Sequence, residues 1–395
     1  MRPARVSRVM DVLVGRRAIR DTYTWGQGMD RARAAFLRTS YFDSLDGLRA
    51  LSIIAVIWHH AANGAVLTGI PGKGSLGVDL FFAISGYLIT TLLLREKLDT
   101  GSIRMGAFYW RRTLRIFPAY YLVLGIYLVL VVLLEHGPER EGFFKNLPWF
   151  LTYTFNYLAD WHVGDSRVIF YFAWSLATEE QFYLCWPWVL RFTRTWWSPL
   201  AIAGSAILAY ELAVLGVESW WWQGSNLLVR TLTNIAPAIC LGCAGALLTH
   251  RPRGFRFLYA LLGQPWSAPA VALAIGIALT LRQDYGLLDS ALFAALVTSV
   301  CIRPRHLLRP LLVNRIATHL GAVSYGMYLF HMIAVGALAR ALHLPRGPLL
   351  FALAVPLAVG IATLSHRYFE ARFLALKNRW RSPVPVMPRA EITLS

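Results

Sequence analysis

Arg49 and His60 stand eleven residues apart in one apolar run, and Asp79, Ser85, Glu179, Glu180 and His331 lie in others. Ionisable side chains are costly at membrane depth, so each is a candidate functional group. An imidazole with a carboxylate at similar depth can take a proton from a hydroxyl while the carboxylate holds its tautomer and steadies the imidazolium. His60 is the candidate base, with Asp79 or Glu180 as its orienting partner. Glu179 and Glu180 point about 100° apart on a helix, so at most one of them faces a given partner; His59 is a rival base offset from His60 by the same angle. Arg111, Arg112 and Arg115, with Arg49, supply the forked donors that suit phosphate oxygens. Each group also has a structural explanation. A buried His can bond a neighbouring helix, Asp79 can cap a first turn, and the Arg trio can anchor a cytoplasmic helix end.

The elements that position these groups follow from composition. Hydrophobic residues make up 56% of the chain and charged residues 15%, with a mean hydropathy of +0.48, outside the range of soluble domains. At about 20 apolar residues per crossing, the runs predict spans at 48 to 67, 76 to 94, 116 to 134, 170 to 190, 199 to 216, 226 to 248, 262 to 281, 286 to 302, 318 to 340 and 347 to 366. The expected fold is therefore all-α, a polytopic membrane bundle of about ten helices. Residues 147 to 159 are too short to cross and read as a re-entrant or interfacial segment. Basic loops alternate with neutral or acidic ones: Arg95 to Arg115, then Arg191 and Arg194, then Arg251, Arg253 and Arg256, then Arg303 to Arg315. The positive-inside rule then puts both termini in the cytoplasm, which in a bacterial cell means an inner-membrane protein. Along the first helix Arg49 and His60 are separated by roughly 16 Å, so Arg49 is near the inner face and His60 past the midplane.

The formal charge of +18 comes from loop arginines, which argues against nucleic-acid binding. Cys185, Cys240, Cys243 and Cys301 all fall in apolar stretches and read as packing residues, with no metal site expected. Residues 1 to 40 hold nine Arg and no apolar h-region, so they read as a basic cytoplasmic arm and not a signal peptide. The membrane domain is expected over 41 to 375 and a cytoplasmic tail over 376 to 395.

Five segments carry a family resemblance. Tyr41 to Ala50, followed after ten residues by His60, resembles the opening R-x(10)-H motif of the acyltransferase-3 family of bacterial integral membrane enzymes. Gly77-Val-Asp79 through Ser85-Gly86-Tyr87 resembles its second-span motif, and Arg111-Arg112-Thr-Leu-Arg115 through Pro118-Ala-Tyr120 its third-span opening. Trp174-Ser175-Leu-Ala-Thr-Glu179-Glu180-Gln-Phe182-Tyr183 is similar to W-S-L-x-x-E-E-x-F-Y, and Ser324-Tyr325-Gly326-Met-Tyr328-Leu-Phe-His331 to S-Y-x-x-Y-L-x-H.

The resemblance implies transfer of an acyl group, commonly acetyl, from acyl-coenzyme A to a hydroxyl of a carbohydrate, a peptidoglycan, a lipid or a macrolide-like metabolite. Acyl-CoA and the acceptor are then the partners within the bilayer, and no metal is required. His60 would be general base, with Asp79, Glu179 and Glu180 as its carboxylates. Arg49, Arg111, Arg112 and Arg115 would hold the donor, and Ser85, Trp174, Ser175, Tyr183, Tyr325 and His331 would contact substrate. The basic arm lies outside the family's core. A soluble hydrolase-like domain, fused at the C-terminus of some members, is not expected, which would leave the acceptor to the membrane domain. A proton-coupled transporter or flippase, with His60, Asp79 and Glu180 as a relay, is the alternative from another class; a membrane scaffold or sensor is a third.

Overall fold

Apolar surroundings oblige a backbone to satisfy its own hydrogen bonds, and helices do so within each segment. The computed structural model describes residues 28–62, 70–158, 170–218, 227–281 and 286–376, and no strand occurs among them. Helix α1 covers 28–38 and α2 Ser44–Ala62; a 3₁₀ segment, Ile70–Leu76, leads into α3, Gly77–Thr100, and then α4, Met105–Leu134. Next come α5 (Gly137–Leu151), α6 (Phe155–Leu158), α7 (Ala173–Phe192) and α8 (Ser198–Glu218). They are followed by α9 (Leu227–Thr233), α10 (Pro237–His250), α11 (Pro252–Leu262), α12 (Ser267–Leu281) and α13 (Leu287–Ile302). The chain closes with α14 (Arg309–Leu312), α15 (Arg315–Ala341), α16 (Pro348–Ser365), a π turn at His366–Glu370 and α17 (Ala371–Leu376). Residues 1–27 of the expected arm and all but Leu376 of the expected tail lie outside the described residues.

Among the described residues, five helices are long and apolar enough to cross a membrane, or up to seven if each bent pair serves as one span. Ten were expected. The differences have local causes. The run at 226 to 248 is broken into α9 and α10, set at 51°, where Pro237 opens the second helix because proline lacks a donor and suits a first turn. Helices α11 and α12 meet at 69°. Helix α13 has only 16 residues, and α2 and α7 carry the ionisable residues that drew attention in the sequence. The segment expected to be re-entrant or interfacial is α5 and α6, parted by a turn in which Tyr153 has φ of 54°; Tyr120 donates to the Phe150 carbonyl at 2.8 Å and ties it to α4.

The buried residues form two clusters. One joins α3, α10, α11 and α13, and includes Phe36 of α1. The other joins α2, α4, α5, α15 and α16. Val78, Phe117 and Tyr325 pack against both, marking the seam. Helices α3 and α10 touch backbone to backbone there: a Cβ on Gly86 would lie 2.1 Å from the Ile239 carbonyl oxygen, and one on Gly242 2.4 Å from that of Ala83. Small residues permit such approach between helices in lipid. The contact fixes how deep Ser85, next to Gly86, sits.

Candidate active site

A cavity of about 90 Å³ opens at the seam. Helical spacing turns one face of each contributing helix toward it: Arg49 from α2; Val78, Phe81, Phe82 and Ser85 from α3; Arg112 and Arg115 from α4; Ser175, Glu179, Glu180 and Tyr183 from α7; Ser324, Tyr325 and Tyr328 from α15. All five segments singled out in the sequence therefore reach one space.

Its polar groups are tightly organised. Glu179 Oε1 accepts from both the Ser85 and Tyr183 hydroxyls, and the Tyr183 hydroxyl lies 3.2 Å from Ser85 Oγ. The Arg112 guanidinium sits 5.0 Å from the centre of the Tyr183 ring. Ser175 and Tyr328 hydroxyls are 2.5 Å apart, both within reach of the Phe172 carbonyl. Arg49 pairs with Asp46 at 2.9 Å. Arg115 is enclosed by protein near Arg49 and Arg112, yet keeps much of its surface out of contact because it borders the cavity. Three guanidinium groups crowded at one pole call for an anion, since like charges gathered away from bulk water repel strongly.

Beyond Tyr328 lies a histidine pair. His331 is fully buried, and its Nδ1 is 2.6 Å from the Tyr328 carbonyl oxygen. A carbonyl can only accept, so Nδ1 carries the hydrogen and Nε2 is left as an acceptor. That Nε2 lies 3.3 Å from His60 Nδ1, which is itself 3.0 Å from the Val56 carbonyl oxygen. One N–H on His60 Nδ1 serves both acceptors, and Nε2 of His60 keeps its lone pair. The two rings are 4.8 Å apart, and the Tyr328 ring, which lines the cavity, packs 5.5 Å from His331.

Not every expected residue joins this arrangement. Among the described residues neither Asp79 nor Glu180 hydrogen-bonds His60, whose Nδ1 is held by Val56 and His331 instead. Asp79 faces Asp289 and Tyr210 on the other side of α3, whereas Glu180 lies among Tyr120, Tyr153 and Tyr325. Arg111 is drawn off to Glu96 at 3.4 Å. Trp174 packs edge-on against Phe82, ring centres 6.2 Å apart, and does not line the cavity. His60 and His331 adjoin the lining without forming part of it. Among the described residues no three His, Cys, Asp or Glu side chains converge as a metal site would require.

The family profile described as an acyltransferase domain, Acyl_transf_3, matches residues 42–367. The chain belongs to this acyltransferase-3 family. A Staphylococcus aureus (strain COL) protein provisionally named an O-acetyltransferase is 26% identical over 360 residues, covering 86% of this chain and 58% of that protein. The peptidoglycan O-acetyltransferase OatA of Listeria monocytogenes is 34% identical over 193 residues, 46% of this chain and 29% of OatA. The O-acetyltransferase OatA of Staphylococcus aureus (strain NCTC 8325) is 31% identical over 218 residues, 53% of this chain and 35% of OatA. The chain thus spans 58% of the length of the first of these relatives. No solved structure matches it.

With its apolar helices, this acyltransferase-3 chain is a membrane protein. Sequence reasoning passed over Tyr328, Ser324 and Phe172 as site residues. The signal for two of them was present: Ser324, Tyr328 and His331 follow i, i+4, i+7 and so share a helix face. Phe172, which supplies a carbonyl just before α7, had none.

Proposed function

We propose that the protein is a membrane-embedded O-acyltransferase that moves an acetyl group from acetyl-CoA to a hydroxyl of a carbohydrate, glycolipid or secondary-metabolite acceptor. The observation that carries this reading is the convergence of all five family segments on one cavity, arginines at one pole and hydroxyls and carboxylates along its wall. The peptidoglycan named for the Listeria relative makes a cell-wall sugar hydroxyl the first acceptor to test. Ten crossings with both termini cytoplasmic, in a bacterial inner membrane, complete the proposal; the alternation of basic and acidic loops supports it.

In the reaction, His60 Nε2 takes the proton of the acceptor hydroxyl as its oxygen attacks the thioester carbonyl carbon. The tetrahedral adduct expels the coenzyme A thiolate, which receives the proton back from the imidazolium, giving the O-acetyl ester and free thiol. His331 is the positioning residue that holds the His60 tautomer. Arg49, Arg112 and Arg115 bind the donor's phosphates, and Ser85, Ser175, Tyr183 and Tyr325 line its path. A space of about 90 Å³ is well below the roughly 300 to 1,000 Å³ of typical ligand pockets, so seating the pantetheine arm requires its side chains to move apart. Purified full-length protein should transfer or hydrolyse radiolabelled acetyl-CoA, and His60→Ala should lower turnover by at least about 100-fold. Unchanged turnover in that variant would remove His60 from the mechanism.

A further inference from the structure

A second, larger cavity, about 440 Å³, lies apart from the site just described. It is formed where α1 meets the C-terminal ends of α3, α7 and α10 and the starts of α8 and α11. Arg33, Lys97, Arg194, His250 and Arg251 line it, and no carboxylate does among the described residues. Arg33 Nε, a buried guanidinium donor on its wall, has no hydrogen-bond partner; His250 is turned with Nδ1 donating to the Ala246 carbonyl at 2.8 Å, which leaves its Nε2 an acceptor. Lys97 is fixed by the Leu190 and Thr193 carbonyls at 2.6 and 3.2 Å, which leaves one of its donors to spare. The Arg251 guanidinium is held 5.8 Å from the centre of the Trp196 ring. An unsatisfied buried guanidinium donor beside three further cationic side chains is rare in finished structures and signals a missing partner. Here that partner carries negative charge.

The remaining wall is apolar, with Leu94, Leu98, Leu190 and Leu247. Nearby α8 presents Ile202, Leu208, Leu212 and Leu215 outward, each at least 44% exposed. A charged head therefore has acyl-chain surface next to it. No residue lines both this cavity and the one at Ser85. Trp186 Nε1 donates to Thr90 Oγ1 at 2.7 Å between α7 and α3, both residues are buried, and Leu94 is about 13 Å along α3 from Ser85. We propose that this cavity binds the phosphodiester headgroup of an anionic phospholipid, which clamps α1 to the basic ends of α3, α7 and α10. Basic pockets between helices near a membrane surface recognise such headgroups, and the buried Phe36, 5.4 Å ring to ring from His250, would couple occupancy to the seating of α1.

The test uses the full-length protein, delipidated in detergent, with thermal unfolding and native mass spectrometry as readouts. Short-chain phosphatidylglycerol should raise the unfolding midpoint and appear as one retained lipid, and phosphatidylcholine should do neither. The Arg33→Gln/Arg251→Gln variant should bind phosphatidylglycerol at least about tenfold more weakly. Arg194→Gln, exposed in the loop before α8, should weaken it in the same direction with the lipid-free unfolding midpoint unchanged, so a fold defect in the double variant cannot hide the answer. Equal stabilisation by both lipids, or an undiminished phosphatidylglycerol response in both variants, would overturn the proposal. So would a full effect from inorganic phosphate alone, which would mark a free-anion site, or from coenzyme A alone, which would mark a donor site.

Discussion

The histidine pair offers the sharpest test of how the proposed base is held. His331→Phe keeps an aromatic ring in a fully buried position but removes the acceptor 3.3 Å from His60 Nδ1. The Val56 carbonyl at 3.0 Å remains, so the His60 tautomer survives, and what is lost is one hydrogen bond to a ring that becomes positively charged as it takes the proton. Hydrogen bonds to charged groups contribute about 1.5 to 3 kcal/mol, or about 10- to 150-fold in rate at about 1.4 kcal/mol per decade. The loss belongs in kcat, because the bond strengthens only as charge develops, and KM for acetyl-CoA should stay within about threefold. His331→Gln, whose amide oxygen can accept, should recover part of it.

The assay is steady-state transfer from radiolabelled acetyl-CoA by purified variants whose unfolding midpoints match the parent. A kcat within about threefold of the parent would mean that His331 does not position the base. A loss as deep as that of His60→Ala would mean that His331 takes part in the chemistry directly, and a change confined to KM would make it a binding residue. Each of these refutes the reasoning from the carbonyl partners.

Other expectations concern the walls. Arg115→Gln should raise KM for acetyl-CoA about tenfold or more through one lost charge-assisted contact, whereas Arg111→Gln, whose side chain is engaged by Glu96, should leave KM within about threefold; similar effects in both would contradict the placement of the two side chains. Gly86→Ala places a Cβ about 2.1 Å from a backbone oxygen that cannot rotate away, and overpacking of this kind costs about 1 to 3 kcal/mol, so its unfolding midpoint in detergent should fall well below that of Ser85→Ala. In the loop between α13 and α14, burial holds the His306 imidazole below its ordinary range, with Asp43 opposing and Arg309 assisting. Protonation then favours the unfolded chain, so the contribution is whole above about pH 6.5 and is lost as pH falls from there toward the lowered folded value; the drop in midpoint between neutral and mildly acidic pH should be smaller in His306→Gln than in the parent.

Depth was legible in the sequence and direction was not. At about 1.5 Å per residue, counting along each apolar run brought Asp79 close to the level of His60, but the count is silent on which way a side chain turns about the bundle. Asp79 turns toward Asp289 of α13, and His331, reached from a segment some 270 residues away in sequence, occupies the position reserved for a carboxylate. Arg111 makes the same point at closer range. It lies only about 40° from Arg115 on the helix, too little for periodicity to separate them, and the difference comes from Glu96 at the end of α3.

The span count of about ten meets five helices long and apolar enough to cross, or up to seven with the bent pairs, among the described residues. Apolar content in the sequence does not register the break that Pro237 imposes between α9 and α10, and α2 and α7, which it does mark as spans, carry ionisable residues that keep them outside the strictly apolar set. In those helices the charge that weakens partition into lipid is the charge the proposed chemistry uses, and neighbouring helices shelter it. Ser85 and Gly86 condense this relation into adjacent residues. The glycine lets α10 press against the α3 backbone, and the serine, held at that depth, reaches Glu179 across the cavity. In this pair the packing requirement and the polar contact are inseparable along the chain but separable by mutation, since loss of the glycine should register in unfolding and loss of the serine hydroxyl in turnover.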